Sequence, residues 1–170
     1  MKVIFVRHAQ AEPRGQGLAD ADRRLVKEGR QQARITAKAL DAIGEKVELV
    51  LTSPLARARE TAAELVNIWK IEEPQDLPAL GTDFDAREMD RTLVELLDKG
   101  TSGICLVGHA PTLGDYIARL IGVKAGLSET VDLTKSGAGC VEIEKPTKPL
   151  VGTLKWLLRR DHLAALAGKG

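Results

Sequence analysis

Lys2-Val3-Ile4-Phe5-Val6-Arg7-His8 decides the fold. Its apolar residues are consecutive rather than alternating and rich in β-branched and aromatic types, which suits a strand buried on both faces inside a parallel sheet. The run stops abruptly at an arginine and a histidine. The same pattern returns at Glu48–Thr52, followed by Ser53, and at Ile104–Val107, followed by Gly108 and His109. Helical spacing fills the intervals. Ala33, Ala37, Leu40 and Ile43 recur with that period before Gly44, as do Ala58, Ala62, Leu65 and Trp69, then Met89, Leu93, Leu96 and Leu97, and finally Leu113, Ile117, Leu120 and Ile121. Strand and helix alternate three times, which predicts an α/β fold: a three-layer α/β/α sandwich around a mostly parallel central sheet.

The punctuation is consistent with this reading. Pro13, Gly15 and Gly17 make residues 11–22 a loop, and Pro74, Pro78 and Gly81 make residues 71–85 an irregular connection. Ser53-Pro54 reads as a capping hydroxyl with proline at the first helical position. Gly137–Ile143 and Thr153–Leu158 flank a turn at Pro146–Pro149 and read as two more strands, the second equally compatible with helix. Arg159-Arg160-Asp161-His162 reads as a polar, exposed tail. No repeat, low-complexity tract or linker divides the chain, so residues 1–170 are expected to form a single domain.

Composition excludes several function classes. The 25 Lys+Arg against 24 Asp+Glu leave a net charge of +1, so no broad basic field is offered to nucleic acid or an anionic membrane. Five aromatic residues are too few for a stacking platform. Cys105 and Cys140 belong to no CxxC or Cys/His ladder and read as buried thiols, with neither a metal nor a cofactor implied. The first apolar run is far shorter than a signal-peptide core, and no stretch approaches about 18 apolar residues, so a cytoplasmic protein is expected.

The chemistry gathers where the strands end. In an open parallel sheet, ligands bind beyond the carboxyl ends of the strands, beside helix N-termini. There the chain places Arg7-His8, then Ser53 to Arg57, then Gly108 to Pro111. Arginines and histidines without an acidic cluster suit an anion rather than a metal cation, and two guanidinium forks match a phosphoryl group. A neutral imidazole is a competent nucleophile. His8 is therefore expected to attack phosphorus and form a phosphohistidine, with Arg7, Arg57 and His109 stabilising the transition state.

Val6-Arg7-His8-Ala9, Ser53-Pro54-Leu55-Ala56-Arg57-Ala58-Arg59-Glu60-Thr61 and Val107-Gly108-His109-Ala110-Pro111 resemble, in order, the signature segments of the histidine phosphatase superfamily, whose fold is phosphoglycerate mutase-like. Leu25 to Ala33 resembles that superfamily's helix entry. The chain looks most like the SixA type, the phosphohistidine phosphatases. The resemblance implies His8 as nucleophile, Arg7 and Arg57 as phosphate ligands, His109 as the residue completing the pocket, and Arg23 as a further phosphate-binding residue. It implies hydrolysis of protein phosphohistidine, on a histidine phosphotransfer signalling protein. Alternatives are a phosphomonoesterase or mutase acting on a small phosphorylated molecule, and a weakly catalytic module that binds phosphoproteins. Two positions depart from the pattern. Ala9 stands where glycine is usual, and Ala79 where a glutamate acid is often found. Asp83, Asp85 and Glu12 remain as donor candidates by loop position, and a missing acid suits a P–N bond better than an alkyl ester.

Overall fold

The computed structural model describes residues 1–15, 17, 19–123 and 130–168. Its elements in chain order are β1 (Lys2–Arg7), α1 (Lys27–Ala42), β2 (Leu49–Thr52), α2 (Ala56–Trp69), β3 (Gln75–Asp76), α3 (Ala86–Asp98), β4 (Gly103–Gly108), α4 (Thr112–Leu120), β5 (Ala138–Glu142), β6 (Thr153–Leu158) and α5 (Arg160–Ala167). The strands form one sheet in the order β3-β2-β4-β1-β5-β6. The first four strands run parallel, while β5 pairs antiparallel with β1 at one side and β6 pairs antiparallel with β5.

Alternation along each strand divides the apolar residues between two layers. Val3, Phe5, Ile104, Leu106 and Val141 face α3 and α4, where Met89, Leu93, Leu113 and Ile117 complete the packing. Ile4, Val6, Cys105, Val107 and Cys140 face the other way, against Leu40 of α1, Leu65 of α2 and Leu163 of α5. This is the predicted three-layer arrangement. Burying side chains such as Leu40, Leu65, Leu93 and Leu113, each 0–1% exposed, contributes about 1.5 to 3 kcal/mol apiece. The two cysteines lie in the second layer, unpaired. Burial pushes both thiols up, Cys140 to about 12, which keeps them protonated and unreactive.

Four local expectations are corrected. Residues 71–85 are not wholly irregular, since Gln75 and Asp76 pair with Leu51 and Thr52 as an edge strand. The segment after Arg159 is a helix rather than a polar tail; Leu163 is fully buried, although His162 is exposed. Ile43 ends the α1 stripe in solvent, 39% exposed. Finally, α2 starts at Ala56 with Leu55 at its N-cap position, so Ser53 and Pro54 lie upstream of the helix. Ser53 is instead drawn inward by a tertiary partner described below.

Gly29 sets how closely α1 approaches the segment that follows β1. A Cβ there would overlap the carbonyl oxygen of Gln10, the same oxygen that accepts a hydrogen bond from Val26 N at 3.2 Å. Alanine ordinarily favours a helix interior over glycine by about 1 kcal/mol. Gly29→Ala is expected to do the reverse, destabilising the fold by about 2 kcal/mol, as read from the urea midpoint; a more stable variant would refute the close approach.

Candidate active site

β2, β4 and β1 are neighbours, and their carboxyl ends lie level. Arg7 pairs with Gly108, and Thr52 pairs with Val107. His8 extends the ladder by one rung, donating its backbone N–H to Gly108 O at 3.0 Å, and Ser53 does the same toward Val107 O at 2.9 Å. His109 leads into α4, accepting from Leu113 N at 2.9 Å. Arg57 is the second residue of α2, so a helix N-terminus delivers it to the same place. Sequence reasoning singled out His8, Arg7, Arg57, His109 and Arg23. All five line one cleft of about 380 Å³, together with Arg14, Asp20 and Lys135.

The two imidazoles lie with ring centroids 5.1 Å apart, tilted by 57°. His8 Nδ1 donates to Ala9 O at 2.8 Å. This bond fixes the tautomer and leaves the lone pair on Nε2. His109 Nε2 lies 2.8 Å from Ser53 Oγ, and that oxygen also accepts from Leu55 N at 3.3 Å. Ser53 is fully buried. The assignment that strands no hydroxyl proton has Ser53 donating to Nε2, so His109 carries its proton on Nδ1. Burial is the first cause holding both rings unprotonated. It pushes His8 down to about 3, with the charges of His109, Arg57 and Arg7 adding to the effect, and His109 down to about 4, with Arg57 adding.

Each guanidinium is held by one side and left free on another. Arg7 Nη1 donates to Leu133 O at 2.9 Å. Arg57 spends its outer edge on a single residue, donating from Nη1 to Asp20 O at 2.6 Å and from Nη2 to Asp20 Oδ2 at 3.0 Å. The Nε atoms of Arg7 and Arg57, like His109 Nδ1, are buried without a hydrogen-bond partner among the described residues. Buried donors of this kind are seldom left unmatched. All three belong to residues that line the cleft, and N–H groups of this kind suit a tetrahedral oxyanion.

Other residues fall outside the cleft. Asp85 caps α3, accepting from the backbone of Arg87 and Glu88, and Asp83 is exposed. Glu12 accepts from Arg24 N at 2.8 Å. None of the three donor candidates lines the cleft. Ala9 takes no left-handed conformation and packs with Ala11, Leu25 and Ala33, so alanine fits where glycine was anticipated. Arg59 is an exposed helix residue paired with Asp76. The carboxylate that does line the cleft, Asp20, was missed by sequence reasoning. Its only sequence signal is a Gly/Pro loop dense in opposite charges.

The family model for the histidine phosphatase superfamily (branch 1) matches residues 3–81. An uncharacterized protein of Picosynechococcus is 30% identical over 166 residues, covering 93% of this chain and 99% of that one. The phosphohistidine phosphatase SixA of Escherichia coli is 27% identical over 121 residues, which is 71% of this chain and 74% of that protein. The solved structure of the protein histidine phosphatase SixA complexed with tungstate superposes with a TM-score of 0.84 at 24% identity, covering 96% of this chain and 99% of that one. The chain belongs to the histidine phosphatase superfamily. Within that superfamily it is SixA-like, and it shares the fold of the solved SixA structure.

The buried, unprotonated imidazoles have a measurable consequence. Below about pH 6.5 the unfolded chain takes up protons that His8 and His109 refuse in the fold, so they lower stability progressively toward about pH 4 and have no effect above neutrality. Imidazole ¹⁵N spectra are expected to show both rings neutral at pH 5, with His8 protonated on Nδ1. Stability of His8→Ala should fall less between pH 7 and pH 5 than that of the parent. Protonation of either ring near pH 6.5 would contradict the burial.

Proposed function

We propose that the protein is a phosphohistidine phosphatase. The observation that carries this reading is the pair of buried, partnerless guanidinium Nε groups beside an imidazole whose Nε2 lone pair is free. His8 Nε2 attacks phosphorus, and a new P–N bond forms as the bond to the substrate's leaving group breaks. Arg7, Arg57 and His109 Nδ1 receive the charge that spreads over the phosphoryl oxygens, with Arg23, which lines the same cleft, as a lesser ligand. Throughout this step the proton stays on His8 Nδ1, donated in a hydrogen bond to Ala9 O. Water then attacks the phosphohistidine, losing its proton to solvent, and inorganic phosphate leaves as Nε2 regains its lone pair.

The proton inventory supports a P–N substrate. Arg23, foremost, with Arg57, holds the Asp20 carboxyl down at about 2, and both imidazoles are unprotonated near neutrality. The lining described here thus supplies no acid for an alkoxide leaving group. A phosphohistidine protonated on its other ring nitrogen departs as neutral imidazole and needs none. The connection between α2 and α3, residues 70–85, carries only β3 and the Pro78–Leu80 turn and leaves little room for a large lid, which favours a side chain presented by another folded protein, such as a histidine phosphotransfer signalling protein.

The test compares a histidine-phosphorylated phosphotransfer domain with phosphoserine and phosphoglycerate. The expected outcome is a higher kcat/KM for phosphohistidine, with acid-labile, alkali-stable label trapped on the parent chain and absent from His8→Ala. Arg57→Ala is expected to lose on the order of 10²-fold in kcat/KM with the fold retained. Faster turnover of the esters would reassign the substrate, and label persisting in His8→Ala would remove His8 as nucleophile.

A further inference from the structure

Asp20 is an anion placed inside a site built for an anion, and its contacts show why. Its carboxylate lies 2.7 Å from Arg23 Nη1, 3.0 Å from Arg57 Nη2 and 3.2 Å from Arg14 Nε. Its backbone carbonyl takes Arg57 Nη1, so one residue grips the whole outer edge of the Arg57 guanidinium. Arg23 is tied down at a second point by Nε donating to Glu12 O at 2.7 Å. What Asp20 leaves untouched on Arg57 is the Nε edge, which is buried and without a partner. A planar guanidinium can offer one edge to a carboxylate and another to an oxyanion at the same time.

Electrostatics points the same way. Arg7, Arg14, Arg23, Arg57 and Lys135 bring five cations to one cleft. With neutral imidazoles, Asp20 is the acidic side chain among the described lining residues, and apart from it and Asp132, which acts on Arg7 from beyond the lining, little offsets a mutual repulsion that would splay long flexible side chains toward solvent. Asp20 stays ionised because Arg23, first, and Arg57 hold its carboxyl at about 2. An ionised carboxylate can hold several arginines in one geometry before the ligand arrives, and preorganised donors bind more tightly than donors that must be ordered on binding.

We propose that Asp20 is a positioning residue, one that clamps the outer edges of Arg57 and Arg23 so that the Nε edge of Arg57 faces the oxyanion. The assignment rests on the phosphatase reading above and concerns affinity rather than chemistry. A carboxylate that merely occupied the phosphate position would compete with the ligand, and removing it would tighten binding. The two roles predict opposite signs.

Calorimetric titration of the full chain with tungstate and with inorganic phosphate distinguishes them. Asp20→Ala is expected to raise both dissociation constants about 10-fold or more while the melting temperature stays within a few degrees, and Asp20→Asn, which keeps an acceptor oxygen, should recover part of the loss. In an Arg57→Ala background the further change Asp20→Ala should cost much less, because the clamped partner is gone. A purely structural role would shift melting temperature without this dependence on Arg57. Unchanged or tighter binding in Asp20→Ala, or equal losses with and without Arg57, would overturn the assignment. If Asp20→Ala fails to fold, Asp20→Asn and its Arg57→Ala combination carry the same comparison. Failure of the parent chain to bind either oxyanion would instead overturn the phosphate reading itself, and this assignment with it.

Discussion

Charged and polar side chains removed from water at the ends of three adjoining strands must find partners within the chain, and the architecture of the site follows from how they do. Arg7 and Arg57 are held in different ways. Arg7 donates to a neutral carbonyl, Leu133 O, and feels the Asp132 carboxylate only through space, without a direct ion pair. Arg57 is gripped by Asp20, which offsets part of its charge and fixes its plane. The imidazoles differ in the same sense. His8 is oriented by a carbonyl, and His109 by a buried hydroxyl. Neither is paired with a carboxylate, which would have stabilised the protonated ring and removed a nucleophile. Neutral acceptors orient the groups that must stay reactive, and the one carboxylate goes to a group that must stay still.

The sequence was most informative where one local signal was enough. An apolar run that stops abruptly at polar residues marks a buried strand and its exit together, so β1, β2 and β4 and their terminal residues Arg7, His8, Ser53 and His109 were readable without knowledge of the fold. Signals that needed a distant partner were not. Ser53-Pro54 looks locally like a helix start, yet His109, far along the chain, takes the hydroxyl and the helix begins later. The conformation of the loop carrying Asp20 is set by Arg57 and Arg23 rather than by its own composition. β3 has two exposed residues and no apolar signature. α5 is short, with a single buried side chain, and its polar first turn outweighed Leu163.

Preorganisation of His8 depends on more than its own contacts. From residue 7 to residue 10 the backbone is tied to a different element at each step. Arg7 N donates to Gly137 O at 3.2 Å and His8 N to Gly108 O at 3.0 Å. Ala9 N donates to Thr61 Oγ1 of α2, and Gln10 N to Gln32 Oε1 of α1, both at 3.1 Å. Gln10 O receives Val26 N, across the approach that Gly29 keeps open. Four separate parts of the chain therefore have to be in place before the nucleophile is aimed, and a loop residue is given the precision of a strand.

One of these ties carries strain. Ser136 donates its N–H to Arg7 O at 3.1 Å, and to do so it adopts φ 57°, a left-handed conformation that disfavours any residue with a side chain. Its hydroxyl is buried without a partner among the described residues, although its carbonyl accepts from Thr36 Oγ1 at 2.8 Å. Glycine would occupy that backbone at lower cost, so Ser136 holds roughly 1 kcal/mol or more of strain beside His8. The strain persists because Ser136 sits between β1 and α1 with both of its backbone groups engaged, so relaxing it would release Arg7 O and Thr36 together. The rigidity of the β1 exit is therefore imposed by its neighbours. A segment so constrained can keep His8 buried with Nε2 unprotonated and facing its ligand, whereas a looser one would turn the ring toward water and let it take up a proton.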